Sequence, residues 1–408
     1  MNRPALVIFD DGRAAFGPMT DLRPAFALRS GVLNQRVRIE MALDQMADGL
    51  WVSESLATVT REGESDAWVN VQADSACVLL VNGRWLANHQ QVTVAIRALA
   101  LGETLVNPDG ELIAAHLDTD GVAQARAAGF TAASCGGTTR SIPADTLTRP
   151  WHVLDGLDQR IIRDLEMQAL PRVNTLPHGV TRVGPHPVLI HDDATLSPHV
   201  HLDTTLGPIA LDAHAAVHPF TAIEGPCYVG EDAVIAANTT LRAGCVIGRG
   251  CKIGGEVKAS IVDDFSNKAH HGYLGNAIVG RWCNLGAGTT ASNLKNTWGE
   301  VRMQLDADTP AEATGRTFLG PVLGDFVRTA IGTTLPTGAT VGAGACLVAS
   351  GFPPKHVPAL TFLTDDGPQP TDLRALRRTL ERMMQRRDQA PTDAMMQRLQ
   401  ELSEVSGR

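Results

Sequence analysis

Near the middle of the chain a lysine, two adjacent histidines and a tyrosine stand together in Lys268-Ala-His270-His271-Gly-Tyr273-Leu-Gly. Histidine takes up a proton near neutral pH, so either ring suits the removal of a proton from an attacking amine. The lysines nearby give a second signal. The chain holds only five, Lys252, Lys258, Lys268, Lys295 and Lys355, and residues 1–251 contain none. Lysine is a compact charge that suits a phosphate. Arg242 and Lys258 are cations of the kind a phosphate dianion needs. The Gly-rich corner Gly286-Ala287-Gly288 offers backbone amides for a tetrahedral oxyanion. Taken singly, each lysine fits solvated surface charge equally well, and the histidines also fit exposed loop side chains with no task.

These residues lie within and just beyond an unusual series. Val217, Ile223, Val229, Ile235, Leu241, Ile247 and Ile253 stand six apart without a break. No helix or ordinary strand has that period. It marks a hexapeptide repeat, in which three short strands make a triangular coil and each aliphatic side chain points inward. Stacked coils leave flat outer walls, and such a prism usually assembles as a homotrimer with ligand sites between subunits. The repeats start near Ile190, slip by half a hexapeptide over 203–209, and are interrupted again over 254–273. Residues 296–317 break the period and are expected to leave a coil as an excursion, the kind of loop that often carries function. Leu335, Val341 and Leu347 mark the last coils. From Thr371 an amphipathic helix with Leu373, Leu376, Leu380 and Met383 on one stripe is expected, and a second helix after Pro391.

Residues 1–170 read as mixed α/β. Leu6–Phe9 and Val78–Val81 look like buried strands, and 90–101 and 157–169 have helical spacing. The expected organisation is an α/β, Rossmann-like domain over 1–170, a Pro/Gly-broken linker over 171–187, a left-handed parallel β-helix over 188–365 and a helical tail over 366–408.

The formal charge of −9 argues against a nucleic-acid surface. No apolar run is long enough to span a membrane, and the N-terminus lacks a basic-then-apolar signal segment. Seven cysteines without a CxxC pair suit reduced thiols in a cytoplasm. Cys245 and Cys251, six apart, read as small wall residues. The histidines at 191, 199, 201, 214 and 218 read as polar wall residues, so no metal site is expected there.

The segments at 18–40 (PMTDLRPAFALRSGVLNQRVRIE), 78–86 (VLLVNGRWL), 266–275 (SNKAHHGYLG) and 284–296 (NLGAGTTASNLKN) carry a resemblance over roughly residues 1–350. The chain resembles the bifunctional UDP-N-acetylglucosamine pyrophosphorylase/glucosamine-1-phosphate acetyltransferase family, and more closely the sugar-nucleotidyltransferase-like proteins with the same layout. The resemblance implies acyl transfer from acetyl-CoA to an amino sugar phosphate or sugar nucleotide. It assigns the sugar phosphate to Arg242 and Lys258, the general base to His270 or His271, and further substrate contacts to Tyr273 and Asn284. Asn293 and Lys295 match the family's Asn-containing segment approximately. The segment before Tyr273 is one residue shorter than in the bifunctional enzymes; His270 is the favoured register.

The N-terminal half departs from that family. The first strand runs into FDDGRAAFGPMT, without the Gly-rich loop that cradles a triphosphate. The family's PxTxxxPK ending appears as Pro18-Met-Thr-Asp-Leu-Arg23-Pro-Ala25, with alanine for lysine. Val81-Asn82-Gly83-Arg84 puts a cation where a carboxylate should hold magnesium. Arg13, Arg23 and Arg29 would have to bind all nucleotide phosphates, and Asp155 or Asp158 is the carboxylate left for a metal. Mg2+ is expected only if this half is active. The alternatives to acyl transfer are sugar-1-phosphate nucleotidyl transfer and a non-catalytic trimeric module that binds a sugar nucleotide or organises partner enzymes.

Overall fold

A computed structural model describes residues 3–71, 75–168, 170–173 and 175–406, the side chains of 405 and 406 excepted. Residue 169, the last of the expected helix 157–169, and residue 174 of the expected linker lie outside the described residues. Two compact units emerge. One comprises Met1–Phe16, Leu22–Leu28 and Leu33–His152; the other comprises Gly17–Asp21, Arg29–Val32 and Val153–Arg408.

The first unit is built on a mixed sheet. Its strands are β1 (Ala5–Phe9), β2 (Gly49–Trp51), β3 (Trp68–Val69), β4 (Cys77–Asn82), β5 (Glu103–Val106), β6 (Leu112–Asp118) and β7 (Thr138–Ser141), in the order β3-β2-β1-β4-β6-β5-β7. The β3-β2-β1-β4 half is parallel, and β6 runs antiparallel to both β4 and β5. β1 and β4 read as continuous apolar runs because both faces of the sheet are covered. Leu6 and Ile8 pack with Ile39, Trp85 and Ile96 on one face, and Val7 and Phe9 pack with Trp51, Leu80 and Phe130 on the other. The segment 90–101 supplies the helix Gln90–Arg97 of this unit, whereas 157–169 supplies Leu157–Met167, which belongs to the second unit.

The second unit is a left-handed parallel β-helix followed by two helices. Its strands fall into three walls. The first wall runs from Val188–Ile190 through Cys227–Val229 and Cys245–Ile247 to His356–Val357. The second includes Lys252–Ile253, Asn267–Lys268, Asn284–Leu285 and Arg328–Thr329. The third includes Thr240–Leu241, Glu256–Lys258 and Tyr273–Gly275. Thr181–Val183 already pairs with His201–Asp203, so the first coil begins inside the stretch read as linker. All seven residues of the six-spaced series are buried, none more than 1% exposed. Each such side chain contributes roughly 1.5–3 kcal/mol by leaving water, which is why so short a strand can hold its place in the stack.

The excursion leaves after Ala291, forms an antiparallel pair of Arg302–Met303 with Glu312–Ala313, and returns before Val322. The helix Leu373–Gln385 is capped by Asp372, whose side chain accepts from the amides of Arg374 and Ala375, rather than by Thr371. Leu376, Leu380 and Met384 form its buried stripe; Leu373 and Met383 are only half-buried. The last helix is Asp393–Ser406. No helix among the described residues is long and apolar enough to cross a membrane.

Candidate functional site

The inward-facing Leu241 and Val257 are register partners, so Arg242 and Lys258 on either side of them must point outward. The amide of Arg242 donates to Val257 O at 2.8 Å, which sets the two cations side by side on the third wall. Arg242 Nε lies 2.8 Å from Glu256 Oε1, and both side chains remain substantially exposed. Lys258 is exposed and forms no ion pair among the described residues.

One coil on, Tyr273 pairs with Glu256 and Gly275 with Lys258. The Tyr273 ring lies along the wall over Gly275, where a Cβ would fall 2.1 Å from the hydroxyl, so a side chain there would push the ring aside. Asn293 Nδ2 donates to Tyr273 Oη at 3.0 Å and to Asn276 Oδ1 at 2.8 Å. The phenol therefore accepts one bond and keeps its own proton to donate. Burial, reinforced by Glu256 and opposed by Asn293 and Arg242, raises the Tyr273 pKa and keeps that proton in place.

His270 and His271 are exposed on the corner between the second-wall strand Asn267–Lys268 and the third-wall strand Tyr273–Gly275. His271 stands over the next coil's corner, where a Cβ on Gly288 would lie 3.3 Å from its Nε2. Lys268 holds the corner from inside. It is the register partner of Ile253, it is 3% exposed, and its ammonium donates to the carbonyls of Gly254 (2.7 Å), His270 (3.1 Å) and Gly272 (2.7 Å). Burial lowers its pKa from 10.5 to about 8. The expectation of a position-selected lysine thus meets a different use: Lys268 satisfies three carbonyls of the histidine corner instead of facing a ligand.

The glycines of the next corner divide. Gly286 donates its amide to Thr329, at 3.2 Å to the carbonyl and 3.0 Å to the hydroxyl, so that N–H belongs to the coil ladder. The amides of Ala287 and Gly288 have no acceptor among the described residues. Asn284 is exposed on the second wall, where it pairs with Asn267 and Arg328, apart from the third-wall group. Lys295 donates to Glu300 O at 3.1 Å within the excursion. The structure thus gathers Arg242, Lys258, Tyr273 and Asn293 on one wall, sets both histidines on its edge, and leaves Asn284 on a different wall. Glu256, Asn276 and Lys268 complete the group. Lys268 was not legible from the period, because the coil from Ile253 to its register partner Lys268 is three residues short of three full hexapeptides.

In the first unit, Arg84 is fully buried. Its guanidinium grips both oxygens of Asp11, at 3.0 Å and 2.8 Å, touches Glu111 Oε1 at 3.1 Å and donates to Leu147 O at 2.9 Å. The Arg84 hydrogen bonds and charge outweigh burial and hold the Asp11 carboxyl below its usual range. Asn82 orients the turn by accepting from the Arg84 amide at 2.9 Å. These residues do not fit a magnesium ion. An internal cation already stands between the two carboxylates, and no cluster of three metal-ligating side chains occurs among the described residues.

Arg13 is exposed and donates to Gly129 O at 2.8 Å, and Arg23 is buried; both belong to the first unit. Arg29 falls in the second unit and is committed to Asp263 (3.1 Å) and Asp264 (2.9 Å). Asp155 pairs with Arg316, and Asp158 lies against Gly244, where burial raises its pKa; both carboxylates belong to the second unit.

Residues 6–172 match the sugar nucleotidyl transferase family, and residues 226–258 match the bacterial transferase hexapeptide (six repeats) family. The bifunctional protein GlmU of Jannaschia sp. (strain CCS1) is 29% identical over 197 residues, covering 46% of this chain and 38% of that protein. That of Synechococcus elongatus is 29% identical over 202 residues, covering 44% and 40%. That of Acidovorax sp. (strain JS42) is 32% identical over 165 residues, covering 39% and 31%. The match spans no more than 40% of the length of these relatives. A hexapeptide transferase family protein from Anaplasma phagocytophilum is 13% identical and covers 56% of this chain and 92% of its own, with a TM-score of 0.18; that overlap adds nothing to a fold already evident from the strand ladders. Residues 6–172 are thus similar to sugar nucleotidyl transferases and residues 226–258 to transferase hexapeptide repeats, and over part of its length the chain is similar to GlmU proteins.

Proposed function

We propose that the β-helix unit is an acyl-CoA-dependent N-acyltransferase, with acetyl-CoA as donor and an amino sugar phosphate or sugar nucleotide as acceptor. The observation that carries this reading is the exposed third-wall group, in which two adjacent cations and an oriented phenol stand beside a histidine corner. Arg242 and Lys258 hold the phosphate, with Arg242 exchanging Glu256 for the substrate dianion. The Tyr273 hydroxyl donates to a substrate oxygen. An ammonium cannot attack a thioester, so the acceptor first gives one proton to solvent, and His270 or His271 takes the next from the amine as it attacks. The C–N bond forms as the nitrogen attacks the acyl carbon, the amides of Ala287 and Gly288 hold the developing oxyanion, and the C–S bond breaks. The imidazolium then returns its proton to the departing thiolate.

A homotrimer and a reducing, cytoplasmic setting belong to the same reading. The flat outer walls and seven free cysteines among the described residues support it. Nucleotidyl transfer is disfavoured by Arg84, whose guanidinium already pairs with Asp11 and Glu111. The test is incubation with acetyl-CoA and a panel of amino sugar phosphates and sugar nucleotides, with products read by mass spectrometry. An N-acetylated product from at least one acceptor is expected; no acetylated product from any acceptor overturns the proposal. Light scattering of the same sample should give three times the chain mass, and a monomer would remove the intersubunit site.

A further inference from the structure

A polar cavity lies on the second wall, away from Arg242, Lys258 and Tyr273. It has a volume of about 280 Å³ and is bounded by the wall on one side and by the end of the helix Leu373–Gln385 on the other. Lys252, Asn267 and Asn284 form an outward column on three successive coils, because each is the register partner of the next. Arg386 and Arg387 approach from the helix end, and no acidic side chain lines the space. Arg387 is only loosely held, by bonds of 3.4 Å to the carbonyls of Gly250 and Arg386.

Two further features point to a ligand. Asn267 Oδ1 is buried and has no hydrogen-bond partner among the described residues, so a turn of the side chain toward the cavity would give it a donor there. An aromatic pair also borders the cavity. Trp282 stacks on Phe265 with ring centroids 4.5 Å apart and planes 19° from parallel. The neighbouring coil carries Gly250 at this corner, where a Cβ would fall 2.8 Å from the Phe265 ring. The backbone there makes room for the aromatic pair.

Three cations call for phosphate, the orphan acceptor calls for an N–H or O–H, and the aromatic border suits a flat ring. We infer that this cavity binds a nucleoside phosphate. The phosphates lie among Lys252, Arg386 and Arg387, and the base or ribose lies beside Asn267 and Trp282, with the Asn267 amide turning to accept from it. The site is independent of the proposed acyl transfer, since none of its cations belongs to the third-wall group.

Calorimetric titration of the full chain, with no amino sugar present, tests this. The probes are ATP, UTP, ribose 5-phosphate and pyrophosphate. CoA is run beside ATP because a free nucleotide and the nucleotide end of a larger donor share this chemistry. At least one nucleotide should bind more tightly than ribose 5-phosphate and pyrophosphate. Lys252→Gln and Arg386→Glu should each weaken it about tenfold or more. Arg382→Glu, on the same helix and outside the cavity lining, should leave binding unchanged. Quenching of tryptophan fluorescence by the nucleotide should be lost in Trp282→Phe. The inference is overturned if no nucleotide binds, if K252Q and R386E bind as the wild type does, or if pyrophosphate binds as tightly as the nucleotides.

Discussion

Arg84 follows the buried strand β4 and Arg242 follows a strand of the third wall, and each faces carboxylates. Arg84 is fully buried, with bonds to Asp11, Glu111 and Leu147 O. Arg242 has a single ion-pair partner among the described residues, Glu256, and its side chain is 45% exposed. In the first setting, removing one partner leaves a buried charge uncompensated. In the second, solvent screens the pair and a ligand can displace it at little cost. The contrast separates a polar cluster consumed by the fold from one left available for binding.

The comparison breaks first on stability. Arg84→Ala should destabilise the first unit by about 3–5 kcal/mol, because Asp11 loses its cation in a buried setting. Arg242→Ala should change stability by no more than about 0.5 kcal/mol. Urea unfolding of both variants measures this, and equal losses would erase the distinction. On activity the order reverses. Replacing the operative histidine, His270→Ala or His271→Ala, should lower kcat roughly 10²- to 10⁴-fold with the fold intact, and the other replacement should cost far less. Steady-state kinetics on folded variants decides which ring acts.

Lys268 lies between the two cases, buried like Arg84 yet bonded to the corner that carries the histidines. Its folded pKa is about 8 and its usual value is 10.5, so between those pH values the unfolded chain binds more protons. Stability from this residue is therefore lowest below pH 8 and rises as pH increases from about 8 toward 10.5, by up to about 3 kcal/mol. Thermal unfolding across that range should show the rise in the wild type and its absence in Lys268→Met. The smallest effect is expected for Arg242→Ala on binding, with KM for a phosphorylated acceptor raised about tenfold or more and little change for an unphosphorylated one.

The coil architecture was legible because one physical rule, an inward aliphatic every six residues, repeats from Val217 to Ile253 without exception. The same rule sends Arg242 and Lys258 outward, since each adjoins an inward residue. Wall identity was less legible. Asn284 and Tyr273 are close in sequence but sit on different walls, because the chain turns two corners between them, passing through the first-wall strand Ile278–Val279. Lys268 was misjudged because charge suggests solvent, whereas the ladder puts it inside among three carbonyls. The NGR step at 82–84 shows an arginine at the end of a buried strand. Its partners Asp11 and Glu111 come from distant loops that no local pattern links to it.

The most direct test is to measure, on one preparation with one amino sugar 1-phosphate, thiol release from acetyl-CoA and pyrophosphate release from nucleoside triphosphates with magnesium. Thiol release that falls in H270A or H271A, together with no pyrophosphate, is the predicted result. Pyrophosphate release without thiol would contradict it, placing the chemistry in the unit whose charges Arg84 neutralises.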